Sequence, residues 1–521
     1  MKIFVRIYLL LSLALPLNAQ LSEVPQFMEA RAPLSALITD YEHRDSVDAH
    51  SALVRLPNRK VALMTREKGK MEPFFIKAIE TGYWDTRYDP NTDYDVVFDD
   101  MRAMGANTAY VMLHWEDIEK SDNVFDFTFA DSIEQAAQRQ GLKLKWILFL
   151  HAQFNGVPSH NPETAWTFHL DDRDGKNYAM QWPKRKGMVF NTIEDVVKKD
   201  GIRPLHVYGH PEVFYRIRRM LYRLAVHYRH SKTLIGVQIG NEEGFSFLDE
   251  SDHNPVTAAL YEDWKLKTNK SDYALFKREA MNWWWQQFTS AYHEGDPYKI
   301  LSFNLDAGQA EAGDVERVSM TGTSAATYGD GNLDAIGTMF YKQWGYQAFD
   351  GLDQHYNLGR YNYQLPLLIP SEIGIGRFNS ARDYTNFVMH TLERGGQGFG
   401  VYCYGEVRKE LADTSGARLL MSTMFENIRL NEDIIYEGLP GPGSVYLTSA
   451  AEACKISHLN VDGGATLAMV YFPQINPEAA NLKKGRLSLK LRAVHKGRYK
   501  VSICQGGKVI RSEKISMMLS L

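Results

Sequence analysis

The chain has 521 residues, with 59 Lys and Arg against 63 Asp and Glu, which gives a formal charge of -4. Hydrophobic residues make up 44% and charged residues 23%, an ordinary globular mix that excludes disorder over most of the chain. The near-neutral charge gives no basis for binding a polyanion, so no nucleic-acid partner is expected. The length allows one large domain with additions, or three small domains.

The first residues carry the features of an export signal. Lys2 and Arg6 accompany an almost wholly apolar run over residues 7–17, and Ala19 offers a small residue for cleavage. The run is shorter than the roughly 20 apolar residues of a membrane span, so no stable membrane insertion is expected. We predict a signal peptide over 1–19 and a soluble, exported protein, either periplasmic or extracellular.

The next region is an N-terminal segment, residues 20–70, that is polar and weakly patterned, and its place in the fold stays open. From about residue 72, short apolar runs alternate with helical periodicity, which is typical of repeated βα units around a parallel sheet. Eight such runs predict an α/β fold, a (β/α)8 TIM barrel, over 71–430. The runs are 74–79, 107–113, 142–150, 234–239, 300–304, 335–341, 367–369 and 398–404.

Two of the intervening helices have clear terminal signals. Phe129, Ile133 and Ala136 form an apolar stripe, and Gly141 after them predicts the end of that helix. Pro211 predicts the first turn of another helix, because proline needs no amide donor there.

After about residue 430 the pattern changes to short alternating strands separated by Gly-rich or Pro-rich turns, with no helix signal. We predict a small antiparallel, β-sandwich-like C-terminal domain over 431–521. The three cysteines show no CxxC spacing, so neither a zinc nor a redox motif is supported. Whether Cys454 and Cys504 pair stays open.

Two predicted strands end in carboxylates. The run that contains Gln238 ends in Asn241 and Glu242, and the run after Pro366 ends in Glu372. Active sites of barrels lie at the carboxyl ends of the strands, so the two glutamates are expected to face each other there. Two facing carboxyls suit glycoside hydrolysis, in which one gives a proton to the leaving oxygen and the other attacks the sugar.

The same residues carry a resemblance to a known group of enzymes. The motif Gln238-x-x-Asn241-Glu242-x-Gly244 resembles strand four of glycoside hydrolase families 35 and 42, retaining β-galactosidase-like enzymes of the glutamate (β/α)8-barrel clan, clan GH-A. The resemblance covers about residues 72–410. Its other motifs are Trp115-x-x-Ile118-Glu119 with Phe125-Asp126-Phe127, then Leu368-Ile369-Pro370-x-Glu372, then Gly395-Gly396-Gln397-Gly398-Phe399.

The resemblance implies a role for each matched residue. Glu242 would be the general acid/base, and Glu372 the nucleophile. Asn241 would hydrogen-bond the sugar 2-hydroxyl, and Tyr341 would donate to Glu372. Glu243 is a rival acid, but neighbouring strand residues point to opposite faces, so only one of the two glutamates can address the sugar.

Four further residues at strand ends are expected to bind substrate: Trp115, His151, Tyr404 and Glu406. Glu406 either contacts a sugar hydroxyl or forms an ion pair with a neighbouring arginine. The chain departs from the family pattern because residues 115–120 lack its proline and strand eight carries additional tyrosines. These departures leave the choice of sugar open.

The sequence therefore predicts a retaining glycoside hydrolase that removes terminal β-linked sugars, a β-galactoside first, from oligo- or polysaccharides. Another specificity of the same clan is the alternative: β-glucosidase, mannosidase, fucosidase or arabinosidase. A second alternative is a barrel that binds carbohydrate without hydrolysing it. Because two carboxyls suffice for the chemistry, we expect no cofactor and no metal. The oligomeric state stays open.

Overall fold

The computed structural model describes residues 36–81, 92–150, 208–241, 255–305, 333–340, 367–369, 372–374, 381–408, 416–441, 445–449, 455–461, 465–471, 488–491, 497–505 and 508–517. The predicted signal peptide lies outside these residues. Across the described ranges, no helix combines the length and apolar character needed to cross a membrane.

The N-terminal segment, which the sequence left unplaced, opens with a 3-10 helix, Arg44–Ser46, and then forms a small sheet. Its strands, antiparallel in the order β1-β2-β3, are β1 (Ser51–Arg55), β2 (Val61–Glu67) and β3 (Lys70–Pro73). Leu53 and Leu63 pack against Ile300 and Ala335, the first residues of two barrel strands. The segment therefore covers the amino-terminal end of the barrel.

Eleven strands of the barrel region follow one another along the described chain. They are β4 (Ile76–Glu80), β5 (Thr108–His114), β6 (Glu119–Ser121), β7 (Val124–Phe125), β8 (Lys143–Phe149), β9 (Leu234–Ile239), β10 (Ile300–Leu305), β11 (Ala335–Phe340), β12 (Leu367–Leu368), β13 (Glu372–Gly374) and β14 (Gly398–Tyr402). Strands β6 and β7 form a separate two-stranded ribbon, and the other nine belong to one sheet.

That sheet closes on itself. All its pairings are parallel, in the order β4-β5-β8-β9-β10-β11-β13-β14, and β14 pairs with β4. Strands β12 and β13 both pair with β11, so the two share one position in the ring. A closed ring of parallel strands with intervening helices fits the predicted (β/α)8 barrel. Each of the eight predicted runs overlaps one of these strands.

The helices also match the terminal signals in the sequence. They are α1 (Tyr94–Ala103), α2 (Trp115–Ile118), α3 (Thr128–Arg139), α4 (Pro211–Tyr228), α5 (Pro255–Thr268), α6 (Tyr273–Gly295), α7 (Ala381–Glu393), α8 (Tyr404–Val407), α9 (Ala417–Arg429) and α10 (Glu432–Glu437). Helix α4 begins at Pro211, and Gly141 follows α3 with φ +70°, a conformation that favours glycine. Both predictions are confirmed.

The barrel strands separate two hydrophobic cores. On β8, Leu144, Trp146 and Leu148 belong to the outer core, between the ring and the helices. Ile147 and Phe149, at the alternate positions, belong to the inner core within the ring. This alternation decides which side chains of every strand face the barrel interior.

The C-terminal region contains antiparallel sheets and one helix that the sequence did not predict, α10. The strands are β15 (Leu439–Pro440), β16 (Val445–Ser449), β17 (Lys455–Val461), β18 (Ala465–Tyr471), β19 (Ser488–Leu491), β20 (Gly497–Gln505) and β21 (Lys508–Met517). They form the sheets β15-β17-β18, β16-β19 and β20-β21. Leu459 and Met469 belong to the outer core, so the first sheet shares the core of the barrel.

Candidate active site

The carboxyl ends of the parallel strands meet at one rim of the barrel, where an active site is expected. The described residues at this rim include His114 at the end of β5, Asn241 after β9, Glu372 on β13 and Tyr402 at the end of β14. All four are polar, whereas the inner core below them is mainly aliphatic. The rim can therefore bind a polar ligand and supply acid-base groups.

Glu372 faces the barrel interior. The next residue, Ile373, is fully buried in the outer core, so Glu372 and Gly374 occupy the inward positions of β13. The Glu372 residue is 7% exposed, and it pairs in register with Met339 of β11. A carboxyl in this position is shielded from bulk water and lies near the carboxyl end of its strand position, which suits a nucleophile.

Asn241 is held by its own strand end. Gly240 has φ +75°, which glycine adopts readily, and its amide donates to the Leu148 carbonyl at 2.8 Å. The buried Gln238 amide donates to the Gly240 carbonyl at 3.3 Å and to the Asn241 Oδ1 at 3.4 Å. These bonds fix the turn that carries the predicted acid/base, and they orient the Asn241 side chain.

Three predicted site residues lie outside the described residues: Glu242, Tyr341 and His151. The roles implied for them stay predictions, and so does the separation of the two catalytic carboxyls. The structure places their neighbours: Asn241 ends the turn after β9, and Phe340 ends β11.

Trp115 lies in the outer core, and its side chain is fully buried. Its indole Nε1 donates to Glu119 Oε2 at 2.7 Å, and Arg219 of α4 forms an ion pair with the same carboxyl. Burial raises the pKa of Glu119, and the hydrogen bond from Trp115 opposes that rise. Trp115 thus ties its loop to α4, an arrangement that does not favour its predicted contact with a sugar.

The predicted residues of strand eight separate in the same way. Tyr404 belongs to the outer core, and its hydroxyl donates to Asp100 Oδ2 at 3.2 Å. Tyr402 is half-buried at the end of β14 and pairs in register with Gly374, which places it beside Glu372. Glu406 lies half-buried in the first turn of α8, and both alternatives for it stay open.

The structure also brings together three polar residues that the sequence did not single out: Glu80, Tyr110 and Lys145. Glu80 and Lys145 are almost completely buried, and both occupy inward positions of their strands. The sequence contained a signal for the two charged residues. Each lies in or directly after an apolar run of the kind that predicts a strand buried on both faces, where a charged side chain is unusual.

His114 also faces inward at the rim. Its ring stacks on Phe149 with centroids 5.0 Å apart, and its backbone amide donates to Asp117 Oδ2 at 2.7 Å. Its place on the inner wall makes it a candidate for binding a sugar hydroxyl.

No protein-family model matches the chain, and no curated protein matches it. Among solved structures, it is similar to a β-galactosidase from the psychrophilic Marinomonas ef1, with 15% identity and a TM-score of 0.49, over 71% of this chain and 63% of that one. An exo-β-1,4-mannosidase from Opitutaceae bacterium strain TAV5 has 17% identity and a TM-score of 0.38, over 65% and 53%.

A third similar structure is the catalytic domain of a β-amylase from Paenibacillus polymyxa, with 10% identity and a TM-score of 0.47, over 66% of this chain and 96% of that one. The chain thus spans less than two thirds of the length of the galactosidase and of the mannosidase. All three structures are less than 25% identical to this chain, with TM-scores below 0.5.

Proposed function

We propose that the chain is a retaining glycoside hydrolase. The observation that carries the proposal is the buried, inward-facing Glu372 carboxyl near the carboxyl end of the seventh barrel position. Asn241, at the end of the fourth position, supports it, because the next residue is the predicted acid/base Glu242. In this proposal the Glu372 and Glu242 carboxyls lie on opposite sides of a sugar bound at the rim.

The reaction follows a double displacement. Glu372 attacks the anomeric carbon and forms a glycosyl-enzyme, while Glu242 gives its proton to the departing glycosidic oxygen. Glu242 then takes a proton from water, and that water attacks the anomeric carbon and releases Glu372. Asn241 hydrogen-bonds the sugar 2-hydroxyl, a contact that strengthens in the transition state.

The substrate in this proposal is a terminal β-linked sugar on an oligo- or polysaccharide, with a β-galactoside first. The half-buried Tyr402 beside Glu372 supports an aromatic wall next to the reacting sugar. A β-glucoside, mannoside, fucoside or arabinoside remains the alternative within the same clan, because the strand-end carboxyls serve all of these sugars alike.

The proposal extends to location and domain organisation. Lys2, Arg6 and the apolar run after them support a signal peptide over 1–19 and export to the periplasm or the medium. The closed ring supports a catalytic barrel over 71–430, and the antiparallel sheets support a C-terminal β-domain over 431–521.

A panel of nitrophenyl glycosides tests this function. We expect the wild type to release nitrophenol from at least one β-glycoside, and we expect both Glu372→Ala and Glu242→Ala to lose that activity. Full activity in either variant would contradict the assigned role. Sugar binding measured by calorimetry, with no hydrolysis over days, would instead indicate a carbohydrate-binding barrel.

A further inference from the structure

A row of polar residues crosses the inner wall of the barrel below the rim. Glu80 of β4 pairs in register with Tyr110 of β5, and Tyr110 pairs in register with Lys145 of β8. Three neighbouring strands therefore bring a carboxyl, a phenol and an amine to the same level. Gly236 is the next residue in this register, on β9.

Lys145 is an unusual residue for this position. It is 1% exposed, and its neighbours Leu144 and Trp146 face the outer core, so the lysine points into the barrel. Its Nζ lies 4.5 Å from the centroid of the Tyr110 ring. A buried ammonium is costly unless negative charge compensates it, and the π face of an aromatic ring provides part of that compensation.

Two carboxylates provide the rest. Burial lowers the pKa of Lys145 to about 7, and the negative charges of Glu80 and Glu372 both oppose that fall. Among the described residues, the titratable groups that face Lys145 are thus Tyr110 on the neighbouring strand β5, Glu80 one strand further on β4, and Glu372 across the ring on β13. Burial also raises the pKa of Tyr110, which keeps the phenol neutral.

Lys145 is set too deep to react with a sugar itself. Ile147 and Phe149 follow it on the inward face of β8, and both lie between its level and the rim. Its charge nevertheless acts on Glu372, because Glu372 points into the same narrow interior from β13, across the ring from β8. Electrostatic interactions are stronger in a protein interior than in bulk water. The lysine can therefore act through the nucleophile without touching the substrate.

We propose that Lys145 is a positioning residue for Glu372, whose ammonium, balanced by Glu80, keeps the Glu372 carboxyl ionised below neutral pH. This inference rests on the proposed function, in which Glu372 must be ionised in order to attack. Without the lysine, Glu80 and Glu372 are two buried carboxylates in one barrel interior, and repulsion between them favours protonation of one.

The pH dependence of kcat/KM tests the proposal, with the nitrophenyl glycoside that the wild type hydrolyses best. In Lys145→Met we expect the acidic midpoint to rise by about one pH unit, the low end of the effect of a neighbouring opposite charge. Activity well below the wild-type midpoint then falls about tenfold, because the ionised fraction falls tenfold. An unchanged acidic midpoint would overturn the proposal.

Lys60→Met is the matched control. Burial also lowers the pKa of Lys60 to about 7, but its Nζ donates to the carbonyls of Ile435, Tyr436 and Gly438, beside α10. Its loss removes a buried amine away from Glu372, so the acidic midpoint should stay at the wild-type value. A shift equal to that of Lys145→Met would show a general effect of lost stability and would overturn the proposal.

A second measurement does not depend on hydrolysis or on the folding of Lys145→Met. In protein labelled with 13C at the lysine Cε atoms, we expect two NMR signals that titrate near neutral pH, from Lys60 and Lys145. Glu372→Gln removes a negative charge that acts on Lys145 across the ring, so one of these signals should titrate at lower pH while the other stays. If neither signal moves, the proposed coupling is wrong.

The two measurements separate this inference from the proposed function. If the chain hydrolyses a glycoside and Lys145→Met has the acidic midpoint of the wild type, the glycosidase assignment stands and the proposed role of the lysine is wrong. A lysine signal that responds to Glu372→Gln, in a chain that hydrolyses no glycoside of the panel, would keep the coupling and remove the assignment.

Discussion

The buried amine of Lys145 makes the stability of the fold depend on pH in a way that one substitution can isolate. Its pKa is lowered from 10.5 to about 7 in the folded chain, because burial disfavours the charged form. Below pH 7 the folded state keeps a charged amine in the barrel and bears the full cost. Between about pH 7 and 10.5 the folded state has lost this proton and the unfolded state still binds it, so stability rises with pH.

The size of this effect follows from the two pKa values. A difference of one pKa unit corresponds to about 1.4 kcal/mol, so the gap between 10.5 and about 7 is worth roughly 5 kcal/mol. Lys145→Met removes this contribution. The variant also loses stability because the charges of Glu80 and Glu372 are no longer compensated, but this loss does not change with pH wherever both carboxyls stay ionised. The pH dependence of the difference in unfolding free energy therefore reports the amine alone.

The measurement is the free energy of unfolding in urea, followed by tryptophan fluorescence at several pH values from 6 to 10. Relative to the wild type, Lys145→Met should become less stable by roughly 4 kcal/mol as the pH rises over this range. Lys143→Met, on the same strand, is the control, because Lys143 pairs with the half-exposed Glu67 at 2.7 Å. Equal pH slopes for the two variants would refute the reasoning.

Two further substitutions test the packing around the site, each by its melting temperature. Trp115→Phe removes a hydrogen bond to the buried Glu119 carboxyl and should lower the free energy of unfolding by about 1–3 kcal/mol. Trp264→Phe is the control and should lower it less, because the indole of Trp264 bonds a more exposed carboxyl, that of Glu279. A larger loss for Trp264→Phe than for Trp115→Phe would contradict the role given to Trp115. Gly236→Ala puts a Cβ 2.5 Å from both Cγ1 and the carbonyl oxygen of Ile300, so a loss of about 1–3 kcal/mol is expected, and an unchanged melting temperature would show that β9 and β10 separate freely.

The barrel could be predicted from the sequence because parallel strands buried on both faces appear as continuous apolar runs. The N-terminal sheet could not, since its strands are short and carry polar residues such as Arg55 and Arg66 among their apolar ones. Its position depends on long-range contacts, from Leu53 and Leu63 to the start of the barrel strands, which no local pattern encodes. Helix α10 was not predicted because its six residues make fewer than two turns, too few to show a helical period in the sequence.

The candidate site was only partly predictable, and the reason lies in the alternation of side chains along a strand. His114 faces inward, so the next residue, Trp115, faces the outer core, although both stand at a strand end. The same rule applied to β8 would have identified Lys145, which shares its face with Ile147. Proximity to a strand end predicted the region of the site. Which side chains enter the site depends on whether a residue occupies an inward or an outward position of its strand.

The central claim is that Glu372 is the nucleophile of a retaining glycosidase, and chemical rescue by azide tests it most directly. Azide added to Glu372→Ala, with an activated aryl β-glycoside that the wild type hydrolyses, should restore release of the phenol. The anomeric configuration of the glycosyl azide is then read by proton NMR. We expect the inverted, α-configured azide, because azide attacks the face that Glu372 has vacated. A β-configured azide, or full activity of Glu372→Ala without azide, would show that Glu372 is not the nucleophile.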